Sequence, residues 1–162
     1  MQGEFLAASE IGLLSFNRFI KYLAQKGKMV NFTTLHLSGD KHLKPYEDID
    51  IGLPGIQSVA SLFREGYFPN LVEFSFTDFN VEPFSMVGLA DSLTMNPSLL
   101  VIDLSRNNVD EELATAIIQR LYFNSCLTKL NLDGNPISVG LFKENVIKPY
   151  FNSRKELKII LA

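Results

Sequence analysis

The sequence predicts an α/β fold of stacked strand–helix units, with parallel strands on one side and helices on the other. The first observation behind this is a spacing of 28 residues. Leu71, Leu99 and Leu127 are 28 apart, and so are Phe74, Ile102 and Leu130; Phe76, Leu104 and Leu132; Val81, Val109 and Ile137; and Asn96, Asn124 and Asn152. Five columns in phase mark stacked supersecondary units, each too small to bury its own apolar face. The second observation is a change of period inside each unit. Apolar residues alternate as in a strand and then recur at helical intervals. The third is bulk composition. With 162 residues, 46% apolar and 20% charged, the chain is long enough for a continuous core and too apolar to be disordered.

The strands come in order. Phe32-Thr-Thr-Leu35-His-Leu37 is the first, and Leu71-Val-Glu-Phe74-Ser-Phe76 the second. Leu99-Leu-Val-Ile102-Asp-Leu104-Ser-Arg-Asn107 is the third, and Leu127-Thr-Lys-Leu130-Asn-Leu132-Asp-Gly-Asn135 the fourth. Leu157-Lys-Ile-Ile160 begins a fifth, two residues late. Positions 1, 4 and 6 of each segment are expected to point inward. Between strands, Ile56, Val59, Ala60 and Phe63 share one helix face, as do Leu113, Ile117 and Leu121. Residues 11–26 read as a further helix through Ile11, Leu14, Phe19 and Leu23, with no clear strand before it.

Asn107 and Asn135 fall where the chain leaves a strand. An amide there can donate to and accept from neighbouring backbone, satisfying groups that the bend would strand. Asn96, Asn124 and Asn152 fall where a helix gives way to the next strand, and are expected to use the left-handed conformation that stops helices. The first unit has Asp40 in place of the turn Asn, and the second has Phe79, so an irregular turn is expected at Phe79. Pro149 is expected to break the last helix, which carries Asn145 where its predecessor has Ile117.

The pattern L-x-x-L-x-L-x-x-N followed by a helix, every 28 residues, resembles the leucine-rich repeat family, in its ribonuclease-inhibitor-like subclass. The resemblance covers residues 11–161 and is sharpest in the third and fourth segments. It implies a right-handed horseshoe solenoid, strands on the concave face and helices on the convex face. The chain then reads as a single domain, 1–162. Residues 1–31 form an N-terminal helix, cap or partial repeat; 32–70 a repeat with an insertion at 41–55; 71–98, 99–126 and 127–156 further repeats; and 157–162 a partial one. Ending inside a strand, it reads as a segment of a longer array.

Function is expected on surfaces. Phe32 to Leu71 is 39 residues, 11 more than the period, and the extra length lies in 41–55. Insertions in stacked units map to one face, often the binding face. Tyr46 beside Glu47, Asp48 and Asp50 offers an aromatic anchor with an acidic surround. The strand residues between the buried ones form a second candidate surface: Thr34, His36 and Ser38; Glu73, Ser75 and Thr77; Val101, Asp103 and Ser105; Lys129, Asn131 and Asp133. Glu73, Asp103 and Asp133 make this ladder mildly acidic, which favours a basic partner.

Catalytic chemistry finds little support. His36 and His42 are six apart, which fits no common zinc motif, and the single Cys126 cannot complete one. Cys126 is expected to be packed and inert. No Gly-rich phosphate loop is present, and Asp110-Glu111-Glu112 reads as the acidic start of a helix. The expectation is no enzyme, no cofactor, no metal and no small-molecule substrate. A net charge of -3 without a basic patch argues against nucleic acid, and the short apolar runs argue against a membrane. The lone Cys and the lack of a leader pattern point to the cytoplasm. Asn31-Phe32-Thr33 matches a glycosylation sequon of the kind expected by chance. The expected role is a protein-binding module or adaptor with an unknown protein partner. The alternatives are a regulator of a small GTPase or of actin assembly, for which Arg106 is the one candidate residue, and a structural spacer.

Overall fold

The alternating apolar pairs become parallel strands. The computed structural model describes residues 5–7, 22, 25, 27, 30–39, 53–79, 83–151 and 156–161. Within these, β1 (Phe5–Ala7), β2 (Thr34–Ser38), β3 (Glu73–Thr77), β4 (Val101–Asp103), β5 (Lys129–Asn131) and β6 (Lys158–Ile160) form one sheet in chain order. Every neighbouring pair is parallel. Parallel neighbours require crossovers. These run through α1 (Leu53–Arg64), α2 (Pro83–Thr94), α3 (Glu111–Leu121) and, before β6, a composite helix of α4 (Val139–Phe142), a π turn (Lys143–Ile147) and α5 (Lys148–Phe151). α1, α2 and α3 pack side by side in the same order as the strands.

The register carries the 28-residue spacing into space. Phe74 pairs with Ile102 and Ile102 with Leu130, while Leu35 pairs with Phe74 across the longer interval of 39. Leu71, Phe74 and Phe76; Leu99, Ile102 and Leu104; and Leu127, Leu130 and Leu132 are all buried. They meet the helix stripes Ile56–Val59–Ala60–Phe63 and Leu113–Ile117–Leu121 in one core. Full burial of each such side chain contributes roughly 1.5–3 kcal/mol.

Several expectations are corrected. A strand does precede the N-terminal segment: Leu6 pairs with Leu37. The motif fails there because the position equivalent to Leu35 is Glu4. β6 is displaced by one residue, not two, since Leu130 pairs with Ile159. A one-residue slip changes the face of every side chain. Accordingly Leu157, Ile159 and Leu161 lie against the core, rather than Leu157 and Ile160.

The turn Asn residues act as expected. Asn107 Nδ2 donates to Phe76 O at 2.6 Å, and its Oδ1 accepts the Phe79 N–H at 2.9 Å. Asn135 Nδ2 donates to Leu104 O (3.0 Å) and Leu132 O (2.8 Å), and its Oδ1 accepts the N–H groups of Asn107 and Val109, both at 2.9 Å. Asn96 and Asn124 are structural for a different reason from the one expected. Neither adopts a positive φ. Asn96 Nδ2 donates to Phe68 O, and Asn124 Nδ2 to Leu93 O and Asn96 O. Their Oδ1 atoms accept the N–H groups of Ser98, Cys126 and Leu127. The left-handed stop is used after α1, by Gly66 at φ 69°.

The turn at Phe79 is regular. Asp78 (φ 63°), Arg106 (φ 56°) and Gly134 (φ 66°) occupy equivalent positions and share the left-handed conformation. The Phe79 ring turns inward and stacks on Phe76 at 4.1 Å between centroids. Gly39, in the preceding turn, makes the space. A Cβ there would sit 2.5 Å from Asp78 O and 2.6 Å from the Phe79 ring. Pro149 does not break the last helix either. Proline has no N–H, and its ring presses on the carbonyl four residues back. The π turn widens the helix just before it, with the Lys148 N–H bonded to Lys143 O, and helix continues to Phe151. Asn145 is exposed. Asp40, Val81 and Asn152, and all of the 11–26 helix except Tyr22 and Gln25, lie outside the described residues.

Two substitutions test this account by urea unfolding. Leu132→Ala should cost about 2–5 kcal/mol, the range for a buried leucine. Asn135→Ala leaves two N–H and two carbonyl groups without their partner and should cost about 3 kcal/mol or more. The exposed Asn145→Ala should stay within about 0.5 kcal/mol and serves as the control.

Candidate functional site

The helices cover one face of the sheet and leave the other uncovered. On the uncovered face, parallel pairing sets side chains in rows across the strands. One row runs Thr34, Glu73, Val101, Lys129, Lys158, and the next His36, Ser75, Asp103, Asn131, Ile160. Both rows are crossed by hydrogen bonds. Asn131 Nδ2 donates to Asp103 Oδ2 at 3.0 Å. Asp103 Oδ1 accepts the Ser105 N–H (2.9 Å), and Asn131 Oδ1 the Asp133 N–H (3.1 Å).

The expected ladder needs one correction. Ser75, Thr77 and Ser105 are buried, so they present little to a partner. Ser75 is a short side chain between His36 and Asp103, and its taller neighbours cover it. Thr77 Oγ1 donates to Ser38 Oγ at 3.5 Å. His36, Glu73, Val101, Asp103, Lys129, Asn131 and Asp133 are half-buried on the face. Tyr46, Glu47, Asp48 and Asp50, with most of the 41–55 insertion, lie outside the described residues.

The edge of this face, where chain leaves the strands, holds an arrangement only partly anticipated. Arg106 Nε donates to Asp78 Oδ1 at 2.8 Å and Nη2 to Asp78 Oδ2 at 2.6 Å, a forked pair between neighbouring turns. Gly134 in the next turn leaves room for the Arg106 stem, since a Cβ there would lie 2.8 Å from Arg106 Cγ. The hydrogen bond to Asp78 raises the Arg106 pKa above its ordinary value; the charges of Asp78, Asp103 and Asp133 add to this, and desolvation opposes it. A raised value keeps any stabilisation by this cation in place below its unfolded pKa, with loss only as pH climbs through the folded one. Arg106 is therefore charged at every working pH. Three carboxylates around one guanidinium leave the edge acidic. Asp78 was missing from the sequence-level candidates, although its 28-residue spacing from Arg106 pairs the two positions.

The nucleophile candidates stay apart. His36 sits on β2 and Cys126 just before β5, with β3 and β4 between them. Cys126 is half-buried rather than fully packed. Its N–H is held by Asn124 Oδ1, and its thiol approaches the exposed Ser125 hydroxyl at 4.0 Å. Asp110 caps α3 by accepting the Leu113 N–H at 2.8 Å, and Glu111 Oε1 accepts the Ser138 N–H at 2.9 Å, so this acidic group opens a helix as expected. Among the described residues no group of three or more His, Cys, Asp or Glu is placed to hold a metal, and no helix is long and apolar enough to cross a membrane.

Comparison with protein-family models and with curated proteins finds no match to this chain.

A double-mutant cycle on Asp78→Ala and Arg106→Ala should give a coupling of about 1 kcal/mol or less, because the pair is partly solvent-exposed. The coupling should shrink further in ~1 M salt.

Proposed function

We propose that the chain is a leucine-rich repeat domain of the ribonuclease-inhibitor-like type. In this reading it is a solenoid of stacked strand–helix coils that serves as a protein-binding module of the cytoplasm. The uncovered sheet face and the 41–55 insertion form the binding surface, and the partner presents a basic patch. One observation carries this reading: the acidic group Asp78, Asp103 and Asp133 lies around a single Arg106 at the edge of a face that no helix covers. Potentials of opposite sign steer association and fix register between partners. The regulator alternative draws less support. Arg106, its one candidate residue, is already forked onto Asp78 and is not a free cation for another protein's phosphates.

Affinity purification from a host lysate tests the assignment. Asp103→Lys combined with Asp133→Lys should weaken the partner's affinity about tenfold or more. Deleting residues 41–51 measures the share of the insertion. Equal recovery by the wild type and both variants, each checked for native circular dichroism, would remove both surfaces from consideration.

A further inference from the structure

The outer surface of the helical layer carries a feature that the sheet face does not explain. α2 has one charged residue, Asp91, among twelve. A helix so nearly apolar all round belongs in an interior. Yet its outer stripe, Phe84, Val87, Gly88, Asp91 and Met95, faces away from the core at spacings of three and four. Phe84 is 83% exposed and Met95 71%. Phe123, just past the end of the neighbouring α3, is 76% exposed.

Two hollows lie along the seam between α2 and α3. One, about 300 Å³, is lined by Phe84, Val87, Leu113 and Ala116, with Asp110 and Glu112 at its margin. The other, about 410 Å³, lies between Met95 and Phe123, with Asp91 and Arg120 beside them. Gly88 sits between the two along the stripe. A Cβ built at Gly88 meets nothing within 4 Å. A glycine inside a helix costs about 0.5–1 kcal/mol relative to alanine, and the packing of this chain does not require one there. Bare backbone at that point lets another backbone come close.

We propose that the seam between α2 and α3 is a docking groove for a cationic amphipathic helix of a protein partner. Phe84 and Met95 are eleven residues apart, about 16 Å of helix. Two large apolar side chains three turns apart on a partner helix would enter both hollows, and ridges at three- and four-residue spacing suit helix-on-helix packing. Charge selects the partner. Asp91 is neutralised by Arg120, with Nε 3.2 Å from Oδ1, which leaves Asp110 and Glu112 in excess. These carboxylates attract lysine and arginine. They repel an anionic lipid surface, and they would face their own kind in a second copy of this chain.

The probe is a fluorescently labelled synthetic peptide of about 18 residues, or five turns, with leucines on one helical face and lysines on the other. A matched peptide with glutamate for lysine is the control. Anisotropy titration of the whole chain should show saturable binding of the lysine peptide only. Phe84→Ala and Glu112→Lys should each weaken it about tenfold. Gly88→Leu should abolish it, and native circular dichroism confirms that the variant folds. Asp103→Lys with Asp133→Lys should leave it unchanged, which separates this groove from the sheet face. The proposal is overturned by equal binding of both peptides, by Gly88→Leu or Phe84→Ala binding like the wild type, or by loss of binding in the sheet-face variant. Self-association that Phe84→Ala removes, or binding to phosphatidylcholine vesicles through the same residues, also overturns it.

Discussion

A chain that reverses direction at both ends of every strand strands backbone groups at each bend. Here asparagine amides replace the missing partners. Asn107 and Asn135 do so where the chain leaves the sheet, and Asn96 and Asn124 where it returns. Each reaches backbone about 28 residues earlier in sequence, so each bond ties a bend to the preceding coil as well as closing it. This is why the register holds across β3, β4 and β5 without long strands. Three-residue ladders are weak alone, and the bends do much of the aligning.

That constraint explains where the regular pattern gives way. Phe79 occupies the asparagine position and offers no amide to pass backward. An aromatic group takes over: Phe63 meets Phe68 and Phe74 at 5.4 and 5.0 Å, and Phe79 stacks on Phe76. At the other end, Pro149 cannot continue an ordinary α-helix. A wider turn absorbs it, and β6 arrives one residue out of step.

Much of this was legible in the sequence, and the misses have physical causes. The 28-residue columns located β3, β4 and β5, their register, and the core faces of α1 and α3. The strand at Phe5–Ala7 escaped because its inward positions are not both apolar. The offset of β6 was misjudged because Leu157, Ile159, Ile160 and Leu161 are all apolar, and periodicity cannot choose between adjacent registers in such a run. On the open face, alternation showed direction but not height, so Ser75 and Ser105 were taken as exposed when their neighbours overtop them. The forked Asp78–Arg106 pair needed the bend geometry, in which both residues are left-handed. The bare outer stripe of α2 left one trace in the sequence, its single charge, and that acquires meaning only once its inner side is known to be covered.

The replacement at Phe79 also divides the molecule by the kind of force that joins its coils. Between β3 and β5, neighbouring coils are clasped by amide hydrogen bonds. Between β2 and β3 that clasp is missing, and the bend is tied by the Gly39 N–H to Thr77 O at 2.8 Å, with aromatic rings beneath. Apolar attraction fades on cooling, and imperfectly filled space yields to pressure. Chill and compression should therefore part this molecule at one seam, between its second and third strands, while heat meets a more even resistance along its length.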